Sequence, residues 1–154
     1  MTMPVSVQSY LDDHHINYDL VSHAKTYTSI AAARAAEIDS NHVAKAVVLR
    51  GDKGYTMAVI PGGHWLRLKA IRKDLNQSLD LVSEEELETL FYDCEYGAIP
   101  ILAEAYGIDV VMDDRLNSLA DVYFECGDHE QLVHLRGDQF RQMMQGVRHG
   151  HYTH

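Results

Sequence analysis

The chain has 154 residues, 46% hydrophobic and 23% charged, a size and composition typical of one globular domain with its own core. No apolar run approaches the length of a membrane span, and residues 1–15 lack the basic and apolar regions of a signal peptide. The net charge of −10 argues against a general nucleic-acid coat protein. Cys94 and Cys126 are isolated and fit no metal or redox spacing, so we expect reduced thiols in a cytoplasmic protein.

The charge is unevenly distributed along the chain. Residues 1–75 contain nine Lys/Arg and seven Asp/Glu, whereas residues 76–154 contain four and sixteen. A polyanion that binds this protein is therefore expected to contact the first half of the chain. Chance sorting of charge between exposed faces would give the same distribution.

Hydrophobic periodicity and turn signals predict helices and strands that mix without a regular βαβ order. The predicted helices cover residues 5–15, about 28–37, 70–75, 84–91 and 138–145. The predicted strands cover residues 17–21, 43–49, 55–60, 64–68, 79–82, 108–112, 122–126 and 131–135. We expect one α+β domain over residues 1–146, with flanking helices around a mixed, strongly curved, barrel-like sheet. Residues 147–154 have no apolar pattern and are expected to form a disordered, histidine-containing tail.

Lys45 is an unusual residue because it lies in a strand that is otherwise apolar. Residues 43–49 and 55–60 flank Gly51–Gly54 and predict a β-hairpin, and Lys45 is the only charge between His42 and Arg50. A lysine that leaves water is costly unless an anion or a polar cavity receives it. The alternative is that Lys45 extends its ammonium past the end of the strand into solvent.

Several patterns that suggest catalysis or metal binding fail on spacing. His129 and His134 are five residues apart, so they do not share one face of a helix as the histidines of a zinc-protease helix do. The histidines of the tail, at 149, 151 and 154, are better explained as a solvated end. There is no nucleophile elbow, phosphate-binding glycine loop or dinucleotide fingerprint. We therefore expect no metal and no cofactor.

Gly97 and His134 remain as candidates beside Lys45. Gly97 would let backbone N–H groups approach a ligand closely, and Pro100 would stiffen the same loop. Equally, Gly97 fits a simple turn, and His134 fits a core or surface histidine.

In this order along the chain, these pieces resemble the YbaK/prolyl-tRNA synthetase editing-domain family, the free-standing trans-editing aminoacyl-tRNA deacylases. The similarity runs from about Val7 to Met144. It is carried by VAKAVVL at 43–49, AVIP at 58–61, DCEYGAIP at 93–100, VVMD at 110–113, and YFECG at 123–127 followed by His134. The resemblance implies hydrolysis of the ester of a mischarged aminoacyl-tRNA, a YbaK-like fold and no metal.

The resemblance also implies roles for particular residues. Lys45, Gly97 and His134 would be catalytic, with Lys45 at the substrate carbonyl or terminal ribose-phosphate. Substrate would contact Ala98, Ile99 and Pro100, and tRNA would contact Lys25, Arg34, Arg50 and Lys69. The expected partners are mischarged tRNA and an aminoacyl-tRNA synthetase, with no DNA and no membrane.

The glycine loop departs from the family pattern, since Ile101 occupies the usual proline position and Ala103 the position of the second glycine. Ala46 stands where some members carry a polar, substrate-selecting residue. These differences leave two alternatives open: a non-catalytic module that docks on tRNA or a synthetase, and a hydrolase of small esters or amides that uses the same pocket.

Overall fold

The computed structural model describes residues 3–95 and 97–154, which form five α-helices and eight β-strands. The helices are α1 (Val5–Asp13), α2 (Ser29–Ala35), α3 (Leu68–Leu75), α4 (Glu84–Leu90) and α5 (Gly137–Met143). The strands are β1 (Asp19–Ser22), β2 (Ala44–Gly51), β3 (Gly54–Pro61), β4 (Asp80–Leu81), β5 (Asp109–Asp113), β6 (Asp121–Glu125), β7 (Gln131–Arg136) and β8 (Arg148–Gly150). None of the described helices has the length and apolarity needed to cross a membrane. Tyr96 of the predicted glycine loop lies outside the described residues, as do positions 1 and 2 of the predicted domain.

The strands form two open sheets. The larger has the order β4-β2-β3-β5-β8, and the smaller is an antiparallel sheet with the order β1-β7-β6. In the larger sheet, β2 runs antiparallel to β3 and β4, whereas the β3–β5 and β5–β8 pairs are parallel. A barrel requires its outermost strands to pair, and β4 and β8 do not. The prediction of a single mixed α+β domain is confirmed by these helices and sheets. The prediction of a barrel-like, strongly curved sheet is wrong, because the sheets are open.

Local sequence signals account for the elements nearest the cleft described below. The β2–β3 hairpin turns through only Asp52 and Lys53, because Gly51 pairs with Gly54. The Thr28 hydroxyl accepts the N–H of Ala31 and so caps α2. Helix α4 begins with a capping box formed by Ser83 and Glu86.

The core divides along the faces of the larger sheet, as the alternation of side chains along a strand requires. One cluster unites residues of both sheets and includes Val48, Met57, Phe124, Val133 and Phe140. The other lies on the opposite face of the larger sheet, with α3 and the last residues of the chain. It contains Leu49, Ala58, Ile60, Ile71, Leu79, Val111 and Tyr152.

The predicted disordered tail is wrong. Strand β8 pairs with β5, and Tyr152 and Thr153 are both buried. The buried carboxylate of Asp113 accepts the N–H of Tyr152 at 2.8 Å and the hydroxyl of Thr153 at 3.0 Å. Apart from Tyr152, which packs in the second core cluster, the segment is held by polar and backbone contacts, and these produce no hydrophobic periodicity in the sequence. The predicted strand at residues 64–68 is reduced to one antiparallel bridge, between Leu66 and Thr153.

Candidate active site

A cleft opens beside β2 where this strand has no neighbour on one side. Strand β4 pairs only with Leu49 and Arg50, and a parallel bridge joins Val43 to Tyr123 of β6. Between these contacts, within the described part of the chain, the edge of β2 is left open. A cavity of about 380 Å³ lies here, a volume typical of small-molecule sites. It is lined by Tyr27, Thr28, Ser29, Ile30, Lys45, Ala46, Leu87, Gly97 and Ile99.

Lys45 reaches this cleft as a partly desolvated cation. Its side chain is half-buried, and burial lowers the pKa of its ammonium group. No ion pair within residues 3–95 and 97–154 involves it, and its Nζ lies 5.5 Å from the centre of the Trp65 ring. A cation that lacks a carboxylate partner in a cleft is available to an anionic or carbonyl oxygen of a ligand.

Gly97 contributes backbone to the cleft from the loop that follows α4. Its φ of +80° lies in the left-handed region that favours glycine. The N–H groups of Gly97 and Ile99 donate to no acceptor within the described residues, whereas the N–H of Ala98 donates to the carbonyl of Glu95 at 3.1 Å. Two backbone donors without an acceptor in the described part of the chain therefore belong to residues that line the cavity.

Of the three loop residues predicted to contact substrate, only one lines the cavity. Ile99 lines the cleft, but Ala98 and Pro100 are buried and do not line it. The departures at Ile101 and Ala103 also lie away from the cavity, because both side chains are buried in the main core. They replace the family's residues where packing, and not ligand contact, is the constraint.

His134 lies outside the cleft, contrary to the position expected for it. It projects from β7, stacks on Tyr123 with ring centres 4.5 Å apart, and contacts Asp121 at 2.8 Å and Asp19 at 3.4 Å. It lines a separate depression with residues of β1 and α5. His129 is closer to the loop of the cleft, because a β-carbon on Gly97 would lie 3.2 Å from its Cε1. Only 2% of His129 is exposed, and it is not among the residues that line the cavity.

Sequence reasoning missed the part of the cleft wall formed by Tyr27, the start of α2 and helix α4. Tyr27, Ser29, Ile30 and Leu87 were not candidates, yet all four line the cavity. Threonine is a residue type that favours a helix cap, so a cap at Thr28 is consistent with the local sequence. Nothing in one sequence showed that this cap would face Lys45.

The four predicted tRNA contacts differ in their surroundings. Lys25 lies 3.6 Å from Glu95, and Arg50 lies 2.9 Å from Glu86, so both already have carboxylate partners. Arg34 on α2 and Lys69 on α3 are exposed, and no ion pair in the described part of the chain involves them. No three His, Cys, Asp or Glu side chains among the described residues are grouped as metal ligands would be.

The fold is a small α+β domain with a candidate binding cleft, and comparison with known sequences gives its family. Residues 23–143 match the aminoacyl-tRNA editing domain, and the chain belongs to that family. The resemblance drawn from the sequence motifs is thereby confirmed. No curated protein matches the chain.

Solved structures share the fold at low sequence identity. Hypothetical protein APE2540 superposes with a TM-score of 0.85 at 19% identity, over 97% of this chain and 99% of its own. A protein described as a candidate trans-editing enzyme for prolyl-tRNA synthetase gives 0.83 at 18% identity, over 99% of both chains. A candidate signal-transduction protein from Marinobacter aquaeolei gives 0.81 at 23% identity, where 99% of this chain matches 31% of the longer one. The last match shows that this fold also occurs as one part of a larger protein.

Proposed function

We propose that this protein hydrolyses the ester that joins a wrong, small amino acid to the terminal adenosine of a tRNA. The observation that carries the proposal is that one cleft is lined both by the half-buried Lys45 and by Gly97 and Ile99, whose backbone N–H groups have no acceptor among the described residues. Membership of the editing-domain family supports the choice of substrate.

The chemistry follows from the groups that line the cleft. An aminoacyl ester is already activated, so water can attack its carbonyl carbon without a protein nucleophile. The carbonyl oxygen then carries negative charge, which Lys45 and the two N–H groups stabilise; removing one such donor typically costs about 10²–10³ in rate. The bond to the ribose oxygen breaks, and that oxygen takes up a proton from water. No carboxylate or imidazole is among the described lining residues, so positioning and electrostatics supply the rate enhancement.

The cleft also suits a small amino-acid side chain. Ile30, Ala46, Leu87 and Ile99 provide apolar surface, and the hydroxyl of Ser29 adds a polar group. A hydrophobic pocket discriminates between neighbouring aliphatic side chains by only about 10- to 200-fold. We therefore expect graded preferences among small amino acids.

The test is deacylation of tRNAs charged with a panel of amino acids, with and without a chelator. Turnover of at least one small aminoacyl ester that persists with chelator supports the proposal. Binding of tRNA without hydrolysis of any member would favour the non-catalytic module. Hydrolysis of free amino-acid esters as fast as charged tRNA would favour a small-ester hydrolase.

A further inference from the structure

Trp65 is a large aromatic side chain that the cleft chemistry does not use. It is the single tryptophan of the chain, and 74% of it is exposed. Its ring lies over the Nζ of Lys45, with 5.5 Å between that atom and the ring centre, within the distance of a cation–π contact. An exposed indole is thus held next to the cation of the candidate site.

The position of Trp65 is fixed by the last residues of the chain. Its carbonyl accepts the N–H of His154 at 3.2 Å, and the N–H of Arg67 donates to the carbonyl of Tyr152 at 2.6 Å. Leu66 forms a bridge with Thr153 between these bonds. Since Tyr152 and Thr153 are buried, the backbone that carries the exposed ring is anchored to the core.

Cations follow Trp65 along the same segment. Arg67, Lys69 and Lys73 are exposed, and no ion pair within residues 3–95 and 97–154 involves them. Lys69 and Lys73 are four residues apart on α3 and therefore share one face of that helix. A flat aromatic surface followed by unpaired cations is the arrangement that binds a single-stranded nucleic acid, with bases on rings and phosphates on cations.

We propose that Trp65 is the stacking platform for the terminal adenine of the tRNA acceptor strand, and that the phosphates before it pass along Arg67 and α3. This proposal rests on the proposed function, because it places the base of the same adenosine whose ester reaches Lys45. One face of the indole meets the Lys45 ammonium, and its exposed surface receives the base.

The single tryptophan makes a direct test possible, because the protein's indole fluorescence reports on Trp65 alone. The probes are a short RNA that ends in CCA and the same RNA whose last nucleotide is an abasic ribose. We expect the first to quench the fluorescence at concentrations at which the second does not. This binding measurement does not require hydrolysis.

The second arm is kinetic. Trp65→Ala should raise the KM for mischarged tRNA about tenfold, the typical effect of losing one base–aromatic stack, with a much smaller change in kcat. Trp65→Phe keeps a ring and should recover part of the affinity. The matched control is Tyr92→Ala, because Tyr92 is 79% exposed and does not line the cleft.

The outcomes separate this proposal from the proposed function. Equal quenching by the two RNAs, or an unchanged KM in Trp65→Ala, would overturn the stacking site while deacylation stands. A wild-type protein that hydrolyses no mischarged tRNA, but is quenched only by RNA with the terminal base, would refute the function and leave the stacking site supported.

Discussion

The carbonyl oxygen of Tyr27 lies 2.6 Å from the position that a β-carbon on Gly97 would occupy. This close approach joins the segment before α2 to the loop after α4, and both line the cleft. Glycine is favoured here for two reasons: the nearby carbonyl leaves no room for a β-carbon, and the φ of +80° lies in the left-handed region. A contact this short cannot accommodate a side chain unless the backbone on one side moves.

Replacing Gly97 with alanine should therefore strongly reduce the deacylation rate. The new methyl group would push Tyr27 and Gly97 apart and displace the backbone donors at 97 and 99, and a misplacement of about 1 Å can cost 10²-fold in rate. We expect a loss of deacylation of about that size, measured at saturating mischarged tRNA.

Gly107 provides the matched control. It also has a positive φ, +70°, but a β-carbon there would meet nothing within 4 Å. Gly107→Ala should lose about 1 kcal/mol of stability from the left-handed backbone and keep its activity. If the two variants behaved alike, the contact with Tyr27 would have no functional role.

Lys45→Ala should lower deacylation at least tenfold and leave the fold intact. The expected loss corresponds to about 1.4 kcal/mol of transition-state stabilisation. Folding should survive because the ammonium group is in no ion pair of the described residues and its removal relieves a desolvated charge. Rates are compared with those of Lys53→Ala, which removes an exposed lysine from the turn of the same hairpin. Full activity, or loss of the folded circular-dichroism spectrum, would contradict the assignment of Lys45.

Local sequence signals were enough to select two of the residues that line the cleft. Lys45 was chosen as a lone charge in an apolar strand and Gly97 as a turn glycine, and both line the same cavity, while their roles in a reaction stay predictions. The sequence did not predict where His134 lies, because its position depends on how the smaller sheet is set against the larger one. The Val43–Tyr123 bridge, which sets one end of the cleft, joins residues far apart in sequence and leaves no periodic signal.

The fold shows the same division. The hairpin and the capped helices α2 and α4 follow from periodicity and capping residues. Neither the division into two sheets nor strand β8 follows from such local signals. Strand β8 is only three residues long. It is held by pairing with β5 and by hydrogen bonds that Asp113 accepts from the segment after β8. Such polar anchors become visible only in three dimensions.

Glu125 should make the stability of the protein depend on pH. Its carboxyl is 2% exposed, and neither of its oxygens has a hydrogen-bond partner in the described part of the chain. Burial, together with the charge of Asp128, raises the pKa of Glu125 to about 8. The folded state therefore holds this proton up to a higher pH than the unfolded chain does.

The sign of the effect follows from that difference. The contribution of Glu125 to stability is complete below the unfolded pKa of about 4.5 and is lost as the pH rises to about 8, with a slope of up to about 1.4 kcal/mol per pH unit. Urea unfolding at a series of pH values, for the wild type and for Glu125→Gln, isolates this contribution as the difference between the two curves. Parallel curves between pH 5 and pH 8 would show that Glu125 ionises normally.

The unequal surroundings of Lys69 and Arg50 lead to the last prediction. Lys69 is exposed and in no ion pair of the described residues, whereas Arg50 donates to Glu86 at 2.9 Å and lies about five residues along β2 from Lys45, roughly 16 Å. Lys69→Gln should raise the half-saturating tRNA concentration severalfold and flatten its dependence on salt by about one unit of log–log slope, with little change in kcat. Arg50→Gln should change both far less, because the Arg50 guanidinium is already paired with the Glu86 carboxylate and is not free to meet a phosphate. Titrations with mischarged tRNA from 50 to 200 mM salt, on the order of the range over which phosphate contacts respond, make the comparison. Equal effects of the two variants would place the RNA along the Glu86 face of the protein, away from α3.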